Sequence, residues 1–192
     1  MTSEATAEIA NGSSISLRSG STSLRSHRRA VRCAAIFVEQ DATPLIEYNR
    51  FEGNHGASVL VVTGLGVFTD NAFGTPASDS YSIVVCGIRS CPRLEHNVIA
   101  GNERGQARPT VVVEDGASAI VQMNDFTAGN SSAVVLRRSG PQTLVAQNRV
   151  SPKFMEGVVV MERSEGVAMR NALGKLTVEV FSDSQKTFQN VL

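Results

Sequence analysis

The sequence predicts an all-β chain folded as a parallel β-solenoid of about seven coils. Three observations carry this expectation. Asparagines recur as Asn49, Asn71, Asn97, Asn124, Asn148, Asn171 and Asn190, at intervals of 22, 26, 27, 24, 23 and 19 residues. Two residues after each comes a large apolar side chain: Phe51, Phe73, Ile99, Phe126, Val150, Leu173 and Leu192. The chain also holds 24 valines in 192 residues and no tryptophan. A β-branched side chain loses less freedom in an extended backbone than in a helix, so this valine content reads as strand. One coil of this length cannot bury its apolar face alone, whereas stacked coils share a continuous core.

The elements follow in order. Residues 1–32 are rich in Ser, Thr and Arg, with SLRS at 16–19 and again at 23–26, and predict a cap or tail. The repeat domain covers 33–192. Each repeat opens on an apolar strand: AIFVE from Ala35, SVLVV from Ser58, SIVVC from Ser82, TVVVE from Thr110, AVVLR from Ala133, GVVVM from Gly157 and TVEVF from Thr177. Turn residues such as Gly64, Gly87, Gly116 and Ser139-Gly140-Pro141 come next. A second, half-apolar strand then leads into the asparagine. At a sharp corner asparagine tolerates a left-handed backbone, and stacked amides can bond from coil to coil. A leucine-rich repeat has a similar period, but its LxxLxLxxN pattern is absent.

Period-two alternation assigns the faces of the first strands. One inward column reads Ile36, Val59, Ile83, Val111, Val134, Val158, Val178, and the other Val38, Val61, Val85, Val113, Leu136, Val160, Val180. Between them the outward column reads Phe37, Leu60, Val84, Val112, Val135, Val159 and Glu179. Six apolar residues facing out predict a covered surface or an interaction site, and they are the candidate partner-binding residues. The next outward positions stack Glu114-Asp115, Arg137-Arg138 and Glu162-Arg163 as a ladder of alternating charge. Two coils carry longer loops, GTPASDSY at 74–81 and GNERGQAR at 101–108, whose Asp79, Tyr81, Glu103, Arg104 and Arg108 are candidates to rim a second binding site.

Bulk numbers exclude other classes. Eighteen basic and eighteen acidic residues cancel, so no global field draws nucleic acid or an anionic membrane. No apolar run reaches the length of a membrane-spanning helix. The three cysteines (Cys33, Cys86, Cys91) cannot all pair, and no metal-ligand spacing appears, so the expectation is reduced thiols in a cytoplasmic protein without a metal centre. The last residues, Asn190-Val191-Leu192, fall in mid-coil, which predicts a longer protein or association between subunits.

The stretches CPRLEHNVIAGN (91–102) and GVFTDNAF (66–73) resemble the repeats of the pectate-lyase-like superfamily. They are also similar to the carbohydrate-binding and sugar-hydrolase repeats of eukaryotic F-box-associated proteins. The resemblance covers roughly residues 33–192 and implies a right-handed parallel β-helix. It is poor for function, because that superfamily holds lyases, hydrolases and non-catalytic scaffolds. The expected function is a non-catalytic scaffold or recognition module that binds another protein or associates with itself, with no catalytic residues. The competing reading is a polysaccharide lyase or hydrolase, or a carbohydrate binder. Arg137 or Arg138 would then be the base, with calcium held by Glu114 and Asp115.

Overall fold

The computed structural model of the chain describes residues 34–77, 79–103 and 107–173 in full, and residues 15–17, 178–180 and 188–191 as backbone strands. The remainder of the expected cap or tail lies outside the described residues, as do Cys33 and Arg104. Strand β1 (Ile15–Leu17) comes first. The first complete turn is β2 (Ile36–Glu39), β3 (Leu45–Glu47) and β4 (Arg50–Phe51). The second is β5 (Val59–Val62), β6 (Val67–Thr69) and β7 (Ala72–Phe73); the third is β8 (Ile83–Cys86), β9 (Arg93–Glu95) and β10 (Val98–Ala100). The fourth is β11 (Val111–Glu114), β12 (Ile120–Gln122) and β13 (Asp125–Ala128); the fifth is β14 (Ser132–Arg137), β15 (Leu144–Ala146) and β16 (Arg149–Val150). Then come β17 (Glu156–Met161), β18 (Gly166–Met169), β19 (Val178–Val180) and β20 (Phe188–Val191).

These strands stack into three parallel sheets. The first is eight-stranded, in the order β1-β2-β5-β8-β11-β14-β17-β19. The second is seven-stranded, β20-β18-β15-β12-β9-β6-β3, and the third is five-stranded, β16-β13-β10-β7-β4. The fold is therefore an all-β parallel solenoid, with five turns complete in all three sheets among the described residues. Strand β1 extends the first sheet within the expected cap, Ile15 pairing with Ile36.

The core is the shared interior. Both inward columns of the first sheet pair in register and are almost fully buried from Ile36 to Val160. The second sheet contributes one inward residue per strand: Ile46, Phe68, Leu94, Val121, Val145 and Ala168. The third contributes Phe51, Phe73, Ile99, Phe126 and Val150. The Phe51 and Phe73 rings stack with centroids 4.6 Å apart, and Phe154 meets Phe126 edge-on at 6.3 Å.

The corner between the second and third sheets is built on asparagine. The Nδ2 of Asn49, Asn71, Asn97, Asn124 and Asn148 each donates to the Oδ1 of the next, ending on Asn171, at 2.9–3.2 Å. The same Oδ1 atoms accept the preceding asparagine's backbone N–H at 3.0 Å. From Asn71 onward each Nδ2 also donates to the carbonyl of the inward residue one turn back, as Asn124 does to Leu94 at 2.7 Å. A buried amide with both donors and its acceptor satisfied avoids the desolvation penalty of an orphaned polar group.

Two expectations about this corner are corrected. The left-handed residue is the one before each asparagine: Tyr48, Asp70, His96, Met123, Gln147 and Arg170 have φ between 52° and 56°. The asparagine itself turns its amide inward to close the bonds. Asn190 does not continue the ladder. It pairs with Ala168 inside β20, three positions short of the residue that would follow Asn171 in register.

Candidate functional site

The outward face of the first sheet was the sequence's leading interaction surface. The structure places its residues in register, Phe37 on Leu60 on Val84 on Val112 on Val135 on Val159. They are not exposed. Five of the six are between 2% and 8% accessible, and Val84 is half-buried. Phe37 and Leu60 cluster with Ala34, Val62 and Cys86. Val112, Val135 and Val159 form a second cluster, onto which Tyr81 and Met161 pack. Of a covered surface and an interaction site, the stripe is the covered one: a second, outer core. Period-two alternation reports which way a side chain points, and not what lies over it.

The loops beside this face come together. Asn102, buried within the loop of the third turn, donates from Nδ2 to Asp79 Oδ1 at 3.4 Å. The Arg108 guanidinium lies over the Tyr81 ring, 5.8 Å from its centroid, at cation–π range. Tyr81 therefore touches the outer core on one side and an arginine on the other. Glu103 is exposed on the same rim. Asn102 was missed from the sequence, because it lies outside the 23-residue ladder; its burial ties the two loops to the solenoid.

The charged corner closes on itself. Arg137 lies 3.6 Å from both Glu114 and Glu162, and Arg138 binds Glu162 at 2.9 Å and also pairs with Asp115. Its bond to Asp115, with the Asp115, Glu162 and Glu114 charges, holds the Arg138 guanidinium above its usual pKa. The carboxylates that would have to hold calcium are thus neutralised by the arginines that would have to act as base. Below this ladder, Cys86 and Cys91 are free thiols. Burial first, then the Glu114 and Asp115 charges, push the Cys86 thiol up to about 12. Burial also raises Cys91, with Arg93 opposing.

A further exposed surface was not foreseen. The outward column of the second sheet reads Leu45, Val67, Arg93, Ile120, Leu144, Val167 in register. Leu45 is 50% exposed, and the other aliphatic members are half-buried. Each of these strands has only three or four residues, so their sequence shows one inward apolar residue and little periodicity.

Fold and surfaces together define the chain as a parallel β-solenoid, and no family model, curated protein or solved structure matches it. Among the described residues, no helix is long and apolar enough to cross a membrane.

Proposed function

We propose that the chain is a non-catalytic scaffold that recognises another protein, its coils being right-handed β-helix repeats of the pectate-lyase-like kind. The observation that supports this most is the closed charge ladder of Glu114, Arg137, Glu162, Arg138 and Asp115. A site that cleaves a charged polysaccharide needs carboxylates and a base left available to substrate. Recognition falls to the paired loops, where Tyr81 and Arg108 stack beside Asp79 and Glu103. Tyrosine and arginine are the side chains that most often dominate binding energy at protein interfaces. Free Cys86 and Cys91 support a reducing, cytoplasmic location.

The test has two arms. Immobilised chain should retain a partner from lysate, and Tyr81→Ala with Arg108→Ala should lose it while Arg138→Ala keeps it. A glycan array and a calcium-dependent lyase assay form the second arm. Cleavage that disappears with Arg138→Ala would overturn the scaffold reading in favour of a polysaccharide lyase.

A further inference from the structure

We propose that the outward face of the seven-stranded sheet is a self-docking surface, on which two copies of this chain pack face to face about a two-fold axis parallel to the strands. The proposal goes beyond the recognition of another protein and uses none of the loop residues, so either can fail without the other.

The face has the composition such packing needs. Leu45 is exposed and Val67, Ile120, Leu144 and Val167 are half-buried in one outward column, interrupted by Arg93. That arginine is bound to Glu95, which also accepts from Gln122 at 2.7 Å. The pair is internally neutral and leaves no bare charge in the middle of the face. Single exposed aliphatic side chains need no explanation, but aliphatic side chains aligned on both sides of a neutralised ion pair along one sheet mark an interaction surface.

Charge selects both the occupant and its orientation. The middle strand of the seven is β12. Asp70 follows β6, two strands to one side of it, and Arg170 follows β18, two strands to the other. Both are exposed left-handed corner residues on the same edge of the sheet. Thr69, on the outward side of β6, donates to the Asp70 carboxylate at 2.9 Å and holds it beside this face. Rotation by half a turn about an axis along β12 lays β6 of one copy over β18 of the other. It brings Asp70 over Arg170 of the second copy, twice by symmetry, and Val67 over Val167. Ile120 and Met123 meet their own counterparts near the axis. Isologous dimers have this self-complementary pattern.

The area sets the strength. Seven strands about 4.8 Å apart, and about four residues wide with the corner, give roughly 400 Å² per copy. That is half of the roughly 800 Å² per partner of a standard interface, so the dimer is weak and forms at high concentration.

Sedimentation equilibrium of the full chain between about 10 µM and 1 mM tests this. The expected result is a monomer–dimer equilibrium within that range. Ile120→Lys, which sets two ammonium groups against each other on the axis, should abolish dimer while circular dichroism stays unchanged. Asp70→Arg and Arg170→Asp should each weaken association at least about threefold, and the double reversal should restore it to within about twofold. Monomer throughout would overturn the proposal. So would a dimer indifferent to the single reversals, or a double reversal that fails to recover.

Discussion

At the residue scale, each corner of the second and third sheets divides its task between two neighbours. Asn124 closes the hydrogen bonds, and Met123 before it adopts the left-handed turn at φ 54°. A side chain in that conformation costs about 1–2 kcal/mol, and glycine would remove the cost while adding unfolded-state entropy of nearly the same size. Met123→Gly should therefore shift stability by less than about 1 kcal/mol in urea unfolding, whereas the β-branched Met123→Val should lose about 1–2 kcal/mol. The sequence concealed this division. Tyr48, Asp70, His96, Met123, Gln147 and Arg170 share no residue type, and of them only Asp70 and His96 are types enriched in left-handed backbone. The Asn190 interval of 19, shorter than every other, was a legible warning that it leaves the ladder.

Cys86 is a second residue-scale test. Its thiol is pushed up to about 12, above the 9.0 of an unfolded cysteine. The neutral thiol is the form the fold favours. Its contribution to stability is therefore complete below about pH 9 and is lost as pH rises from there toward 12. In native protein near pH 7.5, maleimide should modify half-buried Cys91 well before Cys86, and denaturant should abolish the difference. Equal native rates, read by peptide mass spectrometry, would show that the Cys86 cluster is open.

At the element scale, the strands are short and are held by the turn before and the turn after. Gly166 opens β18 with φ +127°, and a Cβ there would lie 2.5 Å from the Thr143 carbonyl oxygen of the preceding turn. Because that neighbour is backbone, the clash cannot relax cheaply. Gly166→Ala should cost about 2–4 kcal/mol in thermal or urea unfolding, with far-ultraviolet dichroism of the native state unchanged. The exposed ion pairs at the other corner matter less. Arg138→Ala should leave the urea-unfolding midpoint nearly unchanged, and added salt should shrink any difference further.

The four-residue strands of the first sheet announced both their inward columns and their outward one, because two full periods fit in each. What covers the outward one was not legible. Tyr81 and Met161 reach it from a loop and a neighbouring column, and no local pattern encodes that approach. The second sheet's face was missed for the opposite reason. Three-residue strands such as Leu45–Glu47 give one inward residue and no measurable alternation.

At the scale of the whole molecule, the solenoid is a stack in which each turn contacts its neighbours, so stability is close to a sum of turns and interfaces. The asparagine ladder is the feature that runs through the stack from Asn49 to Asn171. Its period is what makes the fold legible in the sequence. The interior follows from it, since fixing the asparagine fixes the buried residue three before it and the one two after it, as Val121 and Phe126 flank Asn124.

The most direct test of this account is equilibrium urea unfolding of Asn124→Ala. The substitution takes the Asn124 amide away from the Leu94 carbonyl and from the Asn97 backbone N–H, and leaves the Asn97 Nδ2 with one of its two partners, the Phe68 carbonyl. At about 1–3 kcal/mol for each orphaned group, partly offset by relaxation, the predicted loss is about 3–5 kcal/mol. A loss below about 1 kcal/mol would contradict the claim that the ladder holds the coils in register.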